Sequence, residues 1–387
     1  MKKLLGLDVR VTLFGLVSLL TDISSEMIFS VFSVFFTVIL GASVVLLGLL
    51  EGLADLASTS LDYFSGFISD KTGKRKKYAI SGYGLSVFAK AIMVFLATVT
   101  SAFSFRVIDR LGKSIRGPPS SAWLSSVVEK KKRGYAFGLH QAMDQAGAVL
   151  GPLLAYALLS YFGQTLPSFA TLFKIAFVPA AIALIILLFV KDKPVRPKKR
   201  ARLFKSYGEF SKAMKHYLSA AGIFSLAYFS FGFLLLKAYV VGFDIKDIIL
   251  LYALYNVSAL ISSVPVGKLG DYFGRSKLIL ASYVLYFVMS VGFVVANTKF
   301  AVAALFVVFG LFYAIDESQT KAYISDLEKS RRATAIGFYN FITGLIYLPA
   351  SVVAGYLWKI NPNYAFMFAA VFSLAAIVFF VSRRKTK

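Results

Sequence analysis

Ionisable side chains stand inside stretches that are otherwise apolar, and their spacing gathers them on common helical faces. Asp22 and Glu26 are four residues apart, hence on one face of a helix. Glu51, Asp55 and Asp62 fall within about 40° of one another at 100° per residue. The segment FRVIDRLGKSIRGPP (105–119) carries Arg106, Asp109, Arg110, Lys113 and Arg116 within about 120°. Further on come His140 with Asp144, then Lys237, then Asp316 and Glu317 with Lys321.

Three kinds of chemistry suit such charges. Acids and bases can pair across helices and fix a bundle. Asp62, Lys113, Arg116 and Lys321, nearest the ends of their segments, fit that structural role. A carboxyl group in low-dielectric surroundings can exchange a proton near neutral pH. Asp22, Glu26, Asp55 and Asp144 lie central enough for it. Direct binding is the third. Arg106 and Arg110 can grip an anion in a bidentate fork, and the acids, Asp109 among them, can hold a cation. Lys237, Asp316 and Glu317 extend the same choices into the second half of the chain. There is no Cys, no H-E-x-x-H and no Walker loop, and His140 and His216 are too far apart for a cluster. No metal, no cofactor and no enzymatic reaction is expected.

The elements that position these charges follow from composition. Of 387 residues, 58% are hydrophobic and 16% charged, against roughly 45–50% and about 25% in a soluble domain. Apolar stretches long enough to cross about 30 Å of hydrocarbon recur throughout. In lipid they must be helices. Twelve spans are expected, at 11–39, 43–69, 77–98, 101–127, 134–161, 168–190, 214–240, 246–269, 277–296, 299–325, 332–358 and 362–382. The first is read as a retained span, because no small-residue cleavage pattern follows it.

The net charge of +24 is not a nucleic-acid footprint. Of the 43 Lys and Arg, 32 sit in seven short segments that alternate along the chain with loops holding only Lys246, Lys299 and Lys359, so the basic segments share one side. That is the positive-inside pattern. It places both termini in the cytoplasm of a multi-pass protein in the plasma membrane, with lipid as its surroundings and no nucleic-acid partner.

The halves repeat each other. GFISDKTGKRKK (66–77) follows the second span and GKLGDYFGRSK (267–277) the eighth. Gly66 and Gly267, Asp70 and Asp271, and Gly73 and Gly274 match at one offset, with Lys74, Arg75 and Arg275 beside them. Gly66 and Gly267 should let another helix approach closely. Gly73 and Gly274 suit helix-ending turns with positive φ. Asp70 and Asp271 can pair with a neighbouring Arg. The segment 191–213 divides the chain as a basic cytoplasmic linker between an N-terminal bundle (1–190) and a C-terminal one (214–387). In the fifth span, GAVLGP (147–152) sets Gly147 and Gly151 four apart for close helix packing, and Pro152 removes a backbone hydrogen bond.

These two loops, and the repeat of six spans, resemble the major facilitator superfamily of transporters. The span-5 glycines and Pro152 resemble that superfamily's antiporter motif. TDISSEMIF (21–29) and DRLGKSIRGPP (109–119) resemble a group of bacterial and archaeal members with mostly unassigned substrates. Ser120 and Ser121 depart from the Arg-Asp expected there. The resemblance implies an all-α integral membrane protein: twelve transmembrane helices in two pseudo-symmetric six-helix bundles that open alternately to each side. It implies a monomer carrying a small-molecule or ion substrate, with protons as the coupling ion. Proton-coupled efflux of a small polar or charged solute is favoured. An uptake symporter, or a receptor or lipid scramblase on the same fold, is the alternative. In that family spans 3, 6, 9 and 12 face lipid, which makes Lys90 in span 3 an exception. Tyr252, Tyr255, Asn256, Tyr339 and Asn340 are expected mainly to pack.

Overall fold

The computed structural model describes residues 3–4, 7–127, 133–190, 207–208, 210–328 and 332–382. The side chains of 3–8, 63, 67, 70, 125–127, 133–135, 137, 264 and 332–333 lie outside that description. So does most of the 191–213 linker.

The helices are α1 (Val9–Val34), widened into a π turn over Phe35–Ile39, α2 (Val44–Thr72), α3 (Arg75–Phe95), α4 (Val99–Val127), α5 (Arg133–Phe162) and α6 (Leu166–Phe189). Then follow α7 (Lys212–Ala227), α8 (Gly232–Val240), α9 (Ile245–Phe273), α10 (Arg275–Val295), α11 (Lys299–Leu327), α12 (Arg332–Ile360) and α13 (Pro362–Ser382). A two-residue antiparallel pairing of Lys3–Leu4 with Leu7–Asp8 precedes α1. Each expected span matches one helix, apart from the seventh, which is two. Among the described residues, eleven segments are long and apolar enough to cross a membrane. The twelfth span, α4, is missing from that set because of the charges that mark it in the sequence.

The seventh span was expected as one helix over 214–240. It is interrupted at Tyr228–Phe231, where consecutive large rings seat in different directions. Tyr228 packs on Tyr286, Phe312 and Tyr347, Phe229 on Phe366, and Phe231 on Tyr255, Phe306 and Phe309. These three sets of contacts hold the rings at the break. The Tyr286 hydroxyl donates to the Ala227 carbonyl at 3.2 Å, satisfying a backbone group beside the break, as lipid surroundings require.

The repeat is present in the geometry. α2 and α9 are both 29 residues, α3 and α10 both 21, and α4 and α11 both 29. The turns from α2 to α3 and from α9 to α10 are very short. Gly73 and Gly274 adopt φ of 70° and 92° there, as the sequence pattern requires.

The chain gathers into two compact units. The first comprises Met1–Gly41, Ala57–Arg200 and Ile245–Ala253; the second comprises Ala42–Leu56, Ala201–Asp244 and Leu254–Lys387. The units therefore do not follow the two halves of the sequence throughout. The first half of α2 sorts with the second unit, and the start of α9 with the first. At about 1.5 Å per residue, a helix of this length is long enough to be shared. In the second unit, α2 meets α12 closely. A Cβ on Gly48 would lie 2.2 Å from the Ser351 carbonyl oxygen, and one on Gly52 2.9 Å from Leu348 Cα.

Candidate functional site

The glycines of α5 fix the site. A Cβ on Gly147 would lie 2.8 Å from both Asp22 Cβ and the Leu19 carbonyl oxygen. One on Gly151 would lie 2.8 Å from both Glu26 Cβ and the Ile23 carbonyl oxygen. The four-residue spacing of the glycines thus meets the four-residue spacing of the acids. α1 and α5 touch backbone to backbone, as expected of this motif. Pro152 sits within α5 without interrupting it.

Beside this contact the first unit holds a cavity of about 560 Å³. Its charged and titratable lining comes from four helices: Asp22 (α1), Tyr83 (α3), Lys113 and Arg116 (α4), and His140 and Asp144 (α5). Asp144 accepts a short hydrogen bond from the Ser18 hydroxyl, and His140 Nδ1 stands 3.5 Å from its other oxygen. Arg116 donates to Ser86 Oγ at 2.7 Å and lies over the Tyr83 ring at 4.5 Å. Asp22 and Lys113 make no hydrogen bond or ion pair with the described residues. Lys113 was expected to be a structural partner. Instead it is exposed to the cavity, because the stripe on α4 turns its last positions toward α1 and α5. Arg116 joins it in the lining. Ser120 and Ser121, where the chain departs from the Arg-Asp of its resembling group, line the same cavity.

The earlier part of the α4 stripe is more enclosed. Arg106 is buried with its guanidinium 4.4 Å from the Phe29 ring centre, and Arg110 stands 5.8 Å from that ring. Asp109 is buried, with one carboxylate oxygen lacking a hydrogen-bond partner among the described residues. Lys90, expected on a lipid-facing span, is wholly buried. Its Nζ donates to Ser25 Oγ at 3.0 Å, and Asp109 lies within electrostatic reach. The burial of Lys90 follows from the rotation of α3. α3 packs one face on α4, where a Cβ on Gly82 would lie 2.5 Å from the Gly112 carbonyl oxygen, and Lys90 lies two turns along that face.

Glu26 accepts a hydrogen bond of 2.5 Å from the Tyr252 hydroxyl of α9. The sequence alone favours packing for Tyr252, and no local signal pairs residues so distant in the chain. Tyr252→Phe should cost about 1–3 kcal/mol by leaving a carboxylate short of one donor. Thermal unfolding in detergent would measure it, and an unchanged midpoint would show that the hydroxyl carries no such weight.

The remaining candidates are dispersed. Glu51 is buried on the half of α2 that sorts with the second unit, and Asp55 lies one turn on. Lys237 is buried on α8 and donates to Asn363 Oδ1 at 2.8 Å. The Tyr217 hydroxyl of α7 donates to Thr320 Oγ1 of α11 at 3.3 Å, and Thr320 donates to Asp316 on the same helix at 3.3 Å. Glu317 pairs with Lys321 one turn along the same helix, where both are half-exposed, rather than with a residue of another helix.

The repeated loops carry matching contacts. Arg75 Nη1 donates to the Ala122 carbonyl at 2.7 Å, and Arg275 Nη1 to the Ala322 carbonyl at 2.9 Å. Arg275 also meets Asp326 at 2.9 Å and Asp271 at 3.4 Å. The Asp70 side chain lies outside the described residues. Gly267 does not serve close approach, since a Cβ there would meet nothing within 4 Å. Gly270 has that role: its Cβ would lie 2.1 Å from the Gln319 side chain of α11. The shift of three residues moves the contact to the neighbouring face of α9.

Twelve spans in two repeats, with charged side chains facing a cavity in the first unit, define a multi-pass membrane transporter. Two matches to the Major Facilitator Superfamily family model, over residues 14–246 and 217–387, cover nearly the whole sequence. The chain belongs to the Major Facilitator Superfamily, and is a secondary transporter of a small-molecule substrate rather than an enzyme. It is 35% identical over 375 residues to an uncharacterized MFS-type transporter of Methanocaldococcus jannaschii, covering 95% of this chain and 93% of that one. It is 23% identical over 325 residues to Multidrug resistance protein 2 of Bacillus subtilis, covering 79% and 78%. In fold it is similar to the nucleoside transporter NupG (TM-score 0.77, 13% identity, 97% and 98% covered). It is similarly like a D-xylose-proton symporter (TM-score 0.74, 14% identity, 95% and 96% covered).

Proposed function

We propose that this protein exports a small polar or charged solute in exchange for protons, with Asp22 as the principal proton carrier. The observation that carries the proposal is that Asp22 faces the cavity with no hydrogen-bond donor or ion pair among the described residues, Lys113 lying only within electrostatic reach. One carboxylate can therefore take a proton or a solute cation, and the two exclude each other. Mutual exclusion at one carboxylate is the requirement of antiport. Glu26, Tyr83, Lys113, Arg116, His140 and Asp144 are the titratable or charged groups around it. The glycine–proline motif of α5 and the similarity to a multidrug resistance protein support outward transport. The basic loops support a plasma-membrane protein with both termini in the cytoplasm. We take the halves 1–190 and 214–387 to be the bundles that move, in a monomer.

In proteoliposomes, solute movement should run against an imposed proton gradient and collapse when a protonophore is added. Movement in the same direction as protons would make the protein a symporter. Flux indifferent to the gradient would remove protons from the cycle.

The repeated loops are proposed to set the balance between the two open states. Arg275→Gln removes the bond to the Ala322 carbonyl together with both ion pairs. The ion pairs are exposed and contribute little stability, so unfolding should change slightly while the conformational balance shifts. Asp271→Asn should shift it less. Spin-label distances across the side carrying these loops would report the change, and distributions unchanged in both variants would remove the loop from this role.

A further inference from the structure

The two cavity groups that make no hydrogen bond or ion pair with the described residues have opposite charge, and this narrows the substrate. Lys113 presents an ammonium from α4, and Asp22 a carboxylate from α1. They lie within electrostatic reach of each other but outside ion-pair distance. The other charged groups are engaged: Asp144 by Ser18 and His140, and Arg116 by Ser86 and Tyr83.

A solute with only a cationic group would gain Asp22 but face Lys113 and Arg116. One with only an anionic group would gain Lys113 but face Asp22 and Asp144. A neutral solute would displace water from both charges and pair neither, which is costly in an enclosed site. A volume of about 560 Å³ holds a small organic molecule. We infer that the cavity takes a small zwitterion, its anionic group on Lys113 beside Arg116 and its cationic group on Asp22. This rests on the cavity being the transport site. It adds the substrate class, and explains why the solute's cationic end and the proton compete for one carboxylate.

Binding to the purified full-length protein in detergent tests it without requiring flux. The probes are norvaline, 5-aminopentanoate, pentanoate and butylamine, which vary charge on similar short chains. At least one zwitterion should bind about tenfold or more tighter than either singly charged probe. Lys113→Gln should lower its affinity to that of butylamine, and Asp22→Asn to that of pentanoate. Lys113→Arg keeps the charge and should keep the selectivity, which separates recognition from misfolding. The assignment is overturned if butylamine or pentanoate binds as well as both zwitterions. It is also overturned if Lys113→Gln leaves zwitterion affinity intact, or if neither zwitterion binds at about 10 mM. Proton release on binding, followed with a pH indicator, keeps the two readings apart. Butylamine binding best, with proton release that Asp22→Asn abolishes, sinks the zwitterion and leaves the exchange mechanism. Equal release from wild type and Asp22→Asn sinks the exchange mechanism.

Discussion

Asp22→Asn should reduce pH-gradient-driven flux in proteoliposomes to the level of protein-free vesicles, while the purified protein keeps its fold. The substitution is nearly isosteric, so the close contact of Asp22 Cβ with Gly147 is preserved. What disappears is the group that can change charge. Asp144→Asn should be milder. An amide oxygen can still accept from Ser18, and His140 loses only a partner about one-quarter exposed. The expected order is therefore Asp22 well ahead of Asp144. Asp55→Asn belongs to a residue that sorts with the other unit, and it distinguishes a coupling site confined to this cavity from one spread over both halves. Normal pH-driven exchange in Asp22→Asn would end the assignment, and equal losses in Asp22→Asn and Asp144→Asn would make the two a shared proton site.

The spans were legible because lipid leaves few choices: apolar length forces helices, and basic segments alternate with uncharged loops. The glycine pair on α5 was legible for a similar reason, since a four-residue spacing is itself a helix face. Periodicity gives a face but not the neighbour it meets. Hence Lys113 was assigned to a structural pair, and Lys90 to a span expected to face lipid, although Ser25 and Asp109 surround it on other helices. Tyr252 meets Glu26 across more than two hundred residues of sequence, and no local pattern announces that contact. The break in α7–α8 contains no Pro or Gly at Tyr228–Phe231. It lies where three rings, Tyr228, Phe229 and Phe231, meet three separate aromatic neighbourhoods, which only the packed structure contains.

Gly151→Val should be among the most damaging single changes outside the charged residues. Its Cβ would sit 2.8 Å from the Ile23 carbonyl oxygen and 3.0 Å from the Met27 nitrogen. These are backbone atoms of α1, so no side-chain rotation can make room. The helices must separate, at a cost above the roughly 1–3 kcal/mol of ordinary overpacking. Gly147→Val meets the Leu19 carbonyl oxygen in the same way. Gly138, on the same helix, has nothing within 4 Å of its Cβ position, so Gly138→Ala is the control, with unfolding expected to change little. Thermal unfolding of the three variants decides the matter. If Gly151→Val and Gly147→Val melt with the control, α1 and α5 are not in backbone contact, and the positioning of Asp22 and Glu26 by the α5 glycines falls with it. If they are destabilised and Gly147→Ala alone folds, residual exchange in that variant measures how far Asp22 can be displaced before the proton and the solute cease to compete.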